Sequence, residues 1–315
     1  MPLKIRIGSR PSRLALAQTE MIRARLAVLT PGMDFEVVPI RTSGDRMTSA
    51  SLAQVGGKGL FIKELEQALA AHKVDLAVHS MKDLPAVLPE GFRIAAVPER
   101  EDVRDALIVR VGRGLSDLPR GARLGTSSSR RRFEALRLRP DLKIHPLRGN
   151  VDTRLDSLAG GALDAIVVAV AGLKRLGRFE GLKLEKLGEE DFVPAGGQGA
   201  LAIEALAAKP AAGLVKLESA LERLNHPRTA AETVAERAFL AAIGASCVSP
   251  VGVLARIEGG TLRVRARLFS IDGAKEIADS IGEPFDVSGD AAQIGARLAR
   301  RMLDLGAGEL IAEAG

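Results

Sequence analysis

The sequence predicts an α/β fold with a smaller α+β region at its C-terminal end. Short apolar strands alternate with amphipathic helices as far as the glycine-rich junction Pro194–Gly199, which is typical of α/β domains with mostly parallel sheets. The order of these segments also occurs twice. After the junction the pattern changes, because three closely spaced strands and a helix indicate an antiparallel meander.

The two copies of the repeated pattern correspond segment by segment. Gly8-Ser9 ends the first strand of one copy and Gly125-Thr126 that of the other, and Lys73–Val78 corresponds to Ala162–Val167. In the first copy we predict strands at Lys4–Gly8, Phe35–Arg41, Val74–Val78 and Phe92–Val97, a helix from Ser12 to about Leu29, and a helix at Leu60–Ala71. In the second copy we predict strands ending at Gly125 and covering Leu142–Leu147 and Asp164–Val170, with helices opening at Thr126 and covering Val151–Leu158.

The last part of the chain contains the only cysteine. We predict helices at Ala211–Leu224 and Pro227–Ile243, strands at Gly252–Ile257, Thr261–Phe269 and Lys275–Ile281, and a helix at Asp290–Leu305. Cys247 lies between the second of these helices and the first strand. A lone thiol is a buried filler, a nucleophile or an attachment point, and its position alone leaves all three open.

Composition and charge narrow the class of ligand. Apolar residues make up 46% of the chain, and no apolar run reaches the length of about 18 residues that a membrane span needs. The charged N-terminus and the single cysteine lead us to expect a cytoplasmic protein. The chain has 33 Arg against 12 Lys, and guanidinium groups suit anions. Nucleic acid is disfavoured because Trp and Tyr are absent, and the scattered histidines predict no metal site.

Hydroxyl and arginine side chains concentrate where the first strand of the second copy ends. Thr126–Ser129 is followed directly by Arg130–Arg132, and the free N–H groups of a helix N-terminus attract anions. We favour an anion cradle over the alternative, which is serine capping of a solvated basic helix. Arg148, Arg154 and Arg175 follow the next strands, at the edge where ligands of α/β sheets bind.

The segment after Val78 places a cation beside a carboxylate. Lys82 and Asp83 follow His79 closely, and we expect His79 and Asp83 to share a helical face. The pair suits proton transfer or the binding of a cation that carries N–H groups. A cap and a surface ion pair fit the spacing equally well. Gly56–Gly59 lacks the pattern of a nucleotide-binding phosphate loop.

Several segments, taken in chain order, resemble the porphobilinogen deaminase family. Each is short, but their number and order are specific, and they extend over essentially the whole chain. The segments are Gly8-Ser9-Arg10, Val55–Phe61, Val78–Pro85, Gly125–Arg131, Leu147–Arg154 and Ala169–Leu176.

The resemblance implies two α/β domains similar to periplasmic binding proteins around a cleft, with a small α+β C-terminal domain. On this division, domain 1 is residues 1–98 with 200–222, domain 2 is 99–199 and domain 3 is 223–315. It further implies a monomeric transferase, a hydroxymethylbilane synthase of tetrapyrrole biosynthesis. This enzyme joins four porphobilinogen molecules into linear hydroxymethylbilane, releases ammonia each time, and passes its product to uroporphyrinogen III synthase.

The resemblance also assigns roles to residues by their place in the motifs. Cys247 is expected to hold a dipyrromethane cofactor through a thioether, and Asp83 to be the catalytic carboxylate. The remaining assignments are Lys82, Asp83, Thr126, Ser128, Arg130, Arg131 and Arg154 for the cofactor, Arg10, Ser12, Arg148, Arg154 and Arg175 for the substrate, Lys58 and Phe61 in the active-site loop, and Gln198 in the hinge.

The chain departs from the family at four places. Ala245-Ser246 precedes the cysteine where Gly-Gly is common, and Val248-Ser249 follows it where Gln-Val or a similar pair is usual. Gln54 stands at the position of a frequent Lys, and Ser129 at that of a frequent aliphatic residue. These departures concern the conformation of the cysteine loop and one charge of the active-site loop.

Two other functions fit a two-domain cleft for an anion. A solute-binding protein would need an export signal and leaves Cys247 without a role. A regulatory effector-binding module would need a DNA-binding segment, and no helix-turn-helix pattern precedes the first strand. The intact mass separates these readings, because only the enzyme is expected to carry an adduct on Cys247.

Overall fold

The computed structural model describes residues 4–46, 62–207, 215–246 and 248–314. The chain divides into two compact units, of which unit 1 is Met1–Arg100 with Ala200–Ala231 and unit 2 is Glu101–Gly199 with Glu232–Gly315. Within the described residues, unit 1 contains a five-stranded sheet, and unit 2 contains a five-stranded and a three-stranded sheet. The division into three domains stays a prediction.

The described strands and helices follow the predicted alternation, and the α/β class with a small C-terminal sheet is confirmed. The strands are β1 (Lys4–Ser9), β2 (Asp34–Pro39), β3 (Leu76–Ser80), β4 (Phe92–Ala96), β5 (Asp105–Val109), β6 (Arg123–Gly125), β7 (Lys143–His145), β8 (Ala165–Ala169), β9 (Leu184–Lys186), β10 (Leu201–Leu206), β11 (Val251–Glu258), β12 (Thr261–Phe269) and β13 (Glu276–Pro284). The helices are α1 (Arg13–Leu29), α2 (Ser43–Arg46), α3 (Lys63–Ala70), α4 (Ser129–Leu138), α5 (Val151–Ala159), α6 (Val170–Arg175), α7 (Val215–Leu224), α8 (Pro227–Ile243), α9 (Ala291–Asp304) and α10 (Ala307–Ala314).

The two five-stranded sheets have the same topology. Their strand orders are β2-β1-β3-β10-β4 and β7-β6-β8-β5-β9. In each sheet the first three strands are parallel, and the fourth runs antiparallel to both of its neighbours. The repeated sequence pattern therefore corresponds to a repeated topology, with one reversed strand in each sheet that the periodicity does not predict.

In unit 1, the apolar faces of β1 and α1 pack together and fix the start of the helix. Ile5 and Ile7 of β1 and Ile22 and Leu26 of α1 are buried in one cluster, and each such side chain contributes roughly 1.5–3 kcal/mol. Ser12 caps α1 by accepting a hydrogen bond from the third residue beyond it, at 3.3 Å. The chain thus turns into α1 directly after β1, at the carboxyl edge of the sheet.

In unit 2, the turn from β6 into α4 depends on a glycine. A Cβ atom at Gly125 would lie 2.5 Å from Leu163 and 2.9 Å from Leu147, which is closer than van der Waals contact allows. Ser128 then caps α4 by accepting a hydrogen bond from the Arg131 N–H at 3.4 Å. These two residues bring the first turn of α4 to the end of β6.

The C-terminal sheet, β11-β12-β13, is antiparallel and covered on one face by α9. Leu262 and Val264 of β12 are fully buried, and they alternate with arginines on the other face. Helices α8 and α9 approach so closely that a Cβ atom at Gly295 would lie 2.0 Å from the Ala235 carbonyl oxygen. This packing fixes α8, whose C-terminal end leads into the segment that contains Cys247.

Several predicted boundaries differ from the structure. The third strand of unit 1 is Leu76–Ser80 rather than Val74–Val78, so His79 and Ser80 belong to it. The periodicity does not predict β5, β9 or α10. For β5 the reason is that it is a short and uniformly buried run without alternation. No helix of the described residues is long and apolar enough to cross a membrane.

Candidate active site

In unit 1, three predicted site residues meet at the carboxyl ends of β1 and β3. These strands are parallel, so the chain leaves both at the same edge of the sheet. A pocket at this edge is lined by residues that include Arg10, Ser12, Gln18, Ser80 and Asp83. The structure therefore brings Arg10, Ser12 and Asp83 together, although more than seventy residues separate Arg10 from Asp83 in the chain.

Asp83 presents an exposed carboxylate to this pocket. It ends a 3₁₀ turn whose first residue, Met81, is buried and anchors the turn. Among the described residues, the carboxylate of Asp83 has no hydrogen-bond donor and no cation in contact. Lys82 is half-buried and has interactions of its own. A carboxylate without an internal partner is available to a cation or an N–H group of a ligand.

The prediction that His79 and Asp83 share a helical face is wrong. His79 lies on β3, and its Nε2 is 2.9 Å from Oε2 of Glu204, which is fully buried on β10. The next residue, Ser80, points to the other face, where Gln18 donates a hydrogen bond to its hydroxyl at 3.0 Å. The strand continues two residues further than predicted, so His79 belongs to β3 and not to a helix, although both His79 and Asp83 line the pocket.

Arg10 is paired with a carboxylate of its own unit. Its Nη2 is 2.5 Å from Oδ1 of Asp45, and Thr42 donates to the same carboxylate from its hydroxyl at 2.8 Å. Burial raises the pKa of Asp45, but hydrogen bonds from Arg10 and Thr42 outweigh it, so the pKa lies below its ordinary value. An anionic ligand at Arg10 must therefore share the guanidinium with Asp45.

In unit 2, the hydroxyl groups that follow β6 order the start of α4. The Thr126 N–H donates to the His145 carbonyl at 2.9 Å, which joins the ends of β6 and β7. Thr126 Oγ1 accepts from the Ser128 N–H at 3.2 Å, and Ser128 Oγ accepts from the Arg131 N–H. Because both hydroxyl oxygens act as acceptors in these bonds, their O–H groups can donate to a ligand.

Arg130 and Arg131 are buried and share the carboxylate of Asp105. The Arg130 Nη2 is 2.8 Å from one oxygen of Asp105, and the Arg131 Nη2 is 2.7 Å from the other. Each guanidinium also donates to a backbone carbonyl, at Val193 for Arg130 and at Val167 for Arg131. A solvated basic face is therefore excluded for these two arginines, whereas the next residue of α4 is exposed.

Gln198, the predicted hinge residue, is also buried against Asp105. Its Nε2 donates to the Val103 carbonyl at 2.7 Å and to Oδ1 of Asp105 at 3.1 Å. The next residue, Gly199, has a φ of +86°, and a Cβ atom there would lie 2.3 Å from the Glu101 carbonyl oxygen. Glycine is required at this position for both reasons. Gln198 and Gly199 are thus held by contacts within unit 2.

The three remaining arginines of unit 2 differ in how they are held. Arg148 is half-buried and has no partner among the described residues, and Arg154 donates to the Gly149 carbonyl at 2.9 Å. Arg175 donates to the Gly199 carbonyl at 2.6 Å, while its Nε is buried without a hydrogen-bond partner. Burial lowers the pKa of Arg175 to about 10, so it remains a cation at neutral pH.

Comparison with known proteins identifies the family. Residues 5–214 match the family model described as porphobilinogen deaminase, dipyromethane cofactor binding domain, and residues 230–304 match the model described as porphobilinogen deaminase, C-terminal domain. The chain belongs to the porphobilinogen deaminase family. The porphobilinogen deaminase of Chromobacterium violaceum is 46% identical over 98% of this chain and 97% of its own length. That of Syntrophobacter fumaroxidans is 44% identical over the same shares of the two chains.

Membership of the porphobilinogen deaminase family confirms the predicted class of function. The chain is a transferase of tetrapyrrole biosynthesis, and its family has a dipyrromethane cofactor-binding domain.

Among solved structures, substrate-binding domain 2 of GlnP from Lactococcus lactis is 12% identical over 70% of this chain and 89% of that chain, with a TM-score of 0.40. No cluster of three or more His, Cys, Asp and Glu side chains that could hold a metal ion occurs in the described ranges.

The predicted cofactor attachment point, Cys247, lies outside the described residues, as do Lys58, Phe61 and Gln54. The residues on either side of Cys247 are described. Helix α8 ends at Ile243 and is followed by Gly244, which has a φ of +75°. The N–H of the next residue, Ala245, donates to the Leu240 carbonyl at 3.1 Å. This arrangement is a Schellman cap, so the chain leaves the helix at a defined angle immediately before the cysteine segment.

Three buried or half-buried acidic residues at the site escape prediction from the sequence. Asp45 pairs with Arg10, Asp105 pairs with Arg130 and Arg131, and Glu204 contacts His79. Asp105 begins an apolar run that forms a strand, and Glu204 interrupts another. An acidic residue in such a run indicates a buried carboxylate with a partner elsewhere in the chain, because burial of a carboxylate requires a partner. Asp45 lies in a polar loop and offers no such signal.

Proposed function

We propose that the protein joins four porphobilinogen molecules head to tail and releases one ammonia for each molecule added. Water then cleaves the bond to the cofactor and supplies the hydroxyl group of the linear hydroxymethylbilane that is released. The observation that carries this proposal is the exposed carboxylate of Asp83, which has no partner among the described residues and faces the same pocket as Arg10. A free carboxylate beside a cationic side chain suits a substrate that carries both carboxylates and a pyrrole N–H group.

Asp83 is the proposed catalytic residue. When the bond between the aminomethyl carbon and its nitrogen breaks, the nitrogen leaves as ammonia and the pyrrole nitrogen of the substrate takes up positive charge. A carboxylate that faces this N–H group stabilises the charge, and groups of this kind contribute about 10²–10³ in rate. Formation of the new carbon–carbon bond then releases a proton from a pyrrole carbon, and Asp83 is the proposed acceptor.

Arginines are the proposed ligands of the substrate carboxylates. Each porphobilinogen carries an acetate and a propionate, so the growing chain accumulates negative charge. Arg10, Ser12, Arg148, Arg154 and Arg175 are proposed to bind incoming substrate. Arg175 supports this role most directly, because its Nε is buried without a partner. A charge-assisted hydrogen bond to this group contributes roughly 1.5–3 kcal/mol.

The residues of unit 2 fit a carboxylate-bearing dipyrromethane cofactor. The fit rests on the donor set at the start of α4, which consists of hydroxyl and guanidinium groups. When bound, this cofactor supplies the pyrrole carbon to which the first substrate unit is joined. We propose that Cys247 holds the cofactor through a thioether, and that the cofactor's carboxylates bind Lys82, Thr126, Ser128, Arg130, Arg131 and Arg154. Asp83 is proposed to accept hydrogen bonds from the pyrrole N–H groups of the cofactor.

The other elements of the proposal rest on the family. Lys58 and Phe61 are proposed to lie in an active-site loop, and Gln198 to lie at the hinge between two of three domains. A monomeric state and transfer of the product to uroporphyrinogen III synthase are proposed on the same ground. The cytoplasmic location is proposed from the single cysteine, because a chain that cannot form an internal disulfide is typical of a reducing compartment.

The intact mass of the purified protein tests the proposal. Protein from cells able to make porphobilinogen is expected to carry an adduct of two deaminated porphobilinogen units. The variant Cys247→Ala is expected to lack it, and to give no colour with an aldehyde reagent for pyrroles. An unmodified mass for the unsubstituted protein from such cells would rule out the covalent attachment.

A further inference from the structure

One histidine of unit 1 borders the substrate pocket and has no role in the proposed mechanism. His79 lies on the last turn of β3 toward the pocket, which it lines together with Arg10 and Asp83. The residue is only 6% exposed. Its Nε2 is bonded to Glu204, but its Nδ1 has no hydrogen-bond partner among the described residues. Because buried polar atoms normally have a partner, a ligand in the pocket is the natural partner of Nδ1.

The carboxylate of Glu204 orients the imidazole of His79. Glu204 lies on β10, which runs antiparallel to β3, and its fully buried Oε2 is 2.9 Å from Nε2. Its other oxygen is buried without a hydrogen-bond partner among the described residues. A carboxylate only accepts hydrogen bonds, so Nε2 carries the hydrogen of this bond. The bond fixes the ring and leaves Nδ1 as the nitrogen that a ligand can reach.

Carboxylates of three different elements act on His79. Besides Glu204 on β10, these are Asp83 of the 3₁₀ turn, which borders the same pocket, and Glu66 of α3. Burial and the charge of Glu204 raise the pKa of Glu66, whereas His79 lowers it, so Glu66 lies within electrostatic reach of both. Arg10, a cation of the pocket lining, is already paired. The charges that face His79 are therefore mainly negative, and they attract a proton or a positively charged group to Nδ1.

We propose that His79 is a further catalytic residue, whose Nδ1 binds the aminomethyl nitrogen of porphobilinogen and holds the proton with which this nitrogen leaves as ammonia. This inference rests on the proposed function. The aminomethyl group is the basic group of the substrate, and it is attached to the pyrrole carbon next to the ring nitrogen. When Asp83 accepts from the pyrrole N–H, the aminomethyl nitrogen therefore lies close by, within the pocket that His79 also borders.

In the bound state, one proton lies between Nδ1 and the aminomethyl nitrogen. When the carbon–nitrogen bond breaks, the nitrogen keeps this proton and the electron pair of the bond, and it leaves as ammonia. The imidazole is then neutral, and the pyrrole ring takes up the positive charge beside Asp83. Formation of the new carbon–carbon bond releases one proton from a pyrrole carbon to Asp83. Transfer of this proton to His79 returns both residues to their starting states, so the cycle needs no further reactant.

The first test compares two substrates of the loaded enzyme. His79→Gln keeps a donor for Glu204 but cannot transfer a proton, so kcat for porphobilinogen should fall about 10²-fold with little change in KM. In the hydroxymethyl analogue, a hydroxyl replaces the amino group and carries no extra proton at neutral pH. The unsubstituted protein should turn this analogue over, and His79→Gln should lower its kcat by a larger factor than that of porphobilinogen. Equal losses for the two substrates would indicate a structural role and contradict the proposal.

The second test is the pH dependence of kcat in Glu204→Gln. The amide oxygen still accepts from Nε2 but carries no charge, so the fall of kcat at high pH should move down by about one pH unit. Glu66→Gln should move it in the same direction by less, because Glu66 has no hydrogen bond to the ring. Nitrogen NMR of the unloaded protein follows the same titration without turnover. The His79 signal is identified among those of four histidines by its absence in His79→Gln.

His226→Asn is the matched control. His226 is a histidine of the same unit whose Nδ1 accepts from the Thr229 N–H at 3.2 Å, and asparagine keeps an acceptor at this helix start. Its kcat and pH dependence should match those of the unsubstituted protein. If the unsubstituted protein does not turn over porphobilinogen, the proposed function is wrong. If it does, and either His79→Gln matches it or Glu204→Gln leaves the kcat profile and the NMR titration unchanged, His79 does not hold the proton and this inference is wrong.

Discussion

Each unit contains an arginine–aspartate site at the carboxyl edge of its sheet, and the two sites differ in burial. In unit 1, the side chains of Arg10 and Asp45 are 24% and 13% exposed. In unit 2, those of Arg130 and Arg131 are 5% and 8% exposed, and that of Asp105 is fully buried. A partly exposed ion pair can exchange partners with a ligand, whereas a buried one cannot separate without leaving a charge unpaired. The first site is suited to exchange. The second holds Arg130 and Arg131 in fixed positions, and each guanidinium has N–H groups beyond those that Asp105 accepts.

The same contrast separates Asp83 from Asp105. Asp105 accepts hydrogen bonds from two guanidinium groups and from Gln198, so its carboxylate is committed to the fold. Asp83 has no partner among the described residues, so the fold does not depend on its charge. We expect a substitution at Asp105 to act on stability and one at Asp83 to act on catalysis.

The largest effect is expected from Asp105→Asn. The substitution leaves two buried guanidinium groups without a carboxylate, which should lower the free energy of unfolding by about 3–5 kcal/mol. Urea denaturation at neutral pH measures the loss. A loss below about 1 kcal/mol would show that the buried cluster is not a structural support.

Asp164→Asn is the matched control for this experiment. Asp164 also lies between two arginines of unit 2, Arg110 and Arg123, but their side chains are 45% and 39% exposed. Exposed pairs of this kind contribute about 0–1 kcal/mol. The difference between the two variants isolates the effect of burial from that of charge.

The next largest effect is expected from Asp83→Asn, and it should appear in turnover. The variant should fold normally, because the Asp83 carboxylate makes no contact among the described residues that the amide would lose. Turnover of porphobilinogen should fall by at least about 10²-fold, and acquisition of the cofactor should be poor. Glu90→Gln, an exposed carboxylate of the same unit, should change neither. Turnover close to that of the unsubstituted protein would remove Asp83 from the mechanism.

The smallest effect is expected from Asp45→Asn, and it should depend on pH. The folded-state pKa of Asp45 lies below its ordinary value, so its charge stabilises the fold above the unfolded pKa of about 3.9. This contribution is lost as the pH falls through the lower folded pKa. The variant should be about 1 kcal/mol less stable at pH 7, and the difference should shrink below pH of about 4. A constant difference between pH 7 and pH 3 would contradict the assigned ion pair.

Sequence patterns predict the secondary structure best where periodicity is strong. Helix α8 and strand β12 have the predicted bounds, because a long run between Pro227 and Gly244 and a strict alternation leave few alternatives. The patterns fail at β5, whose apolar residues are buried on both faces, and at the reversed strands of both sheets. Direction and pairing depend on residues far away in the chain, which a local pattern does not contain.

For the site, the residue types were predictable but their partners were not. Hydroxyl and arginine side chains after β6 indicated an anion site, and motifs in order indicated the family. That Asp105 holds Arg130 and Arg131, and that Asp45 holds Arg10, follows only from the packing of distant elements.

By itself, the sequence determined the α/β class, the order of most elements and the family, because local periodicity and ordered motifs are properties of the chain as written. Only the tertiary structure decided which charged groups are paired within the fold and which are available to a ligand. Burial and distance set the free-energy cost of leaving a charge unpaired. Both depend on which elements lie side by side, as β1 and β3 do in unit 1 and β5 and α4 do in unit 2.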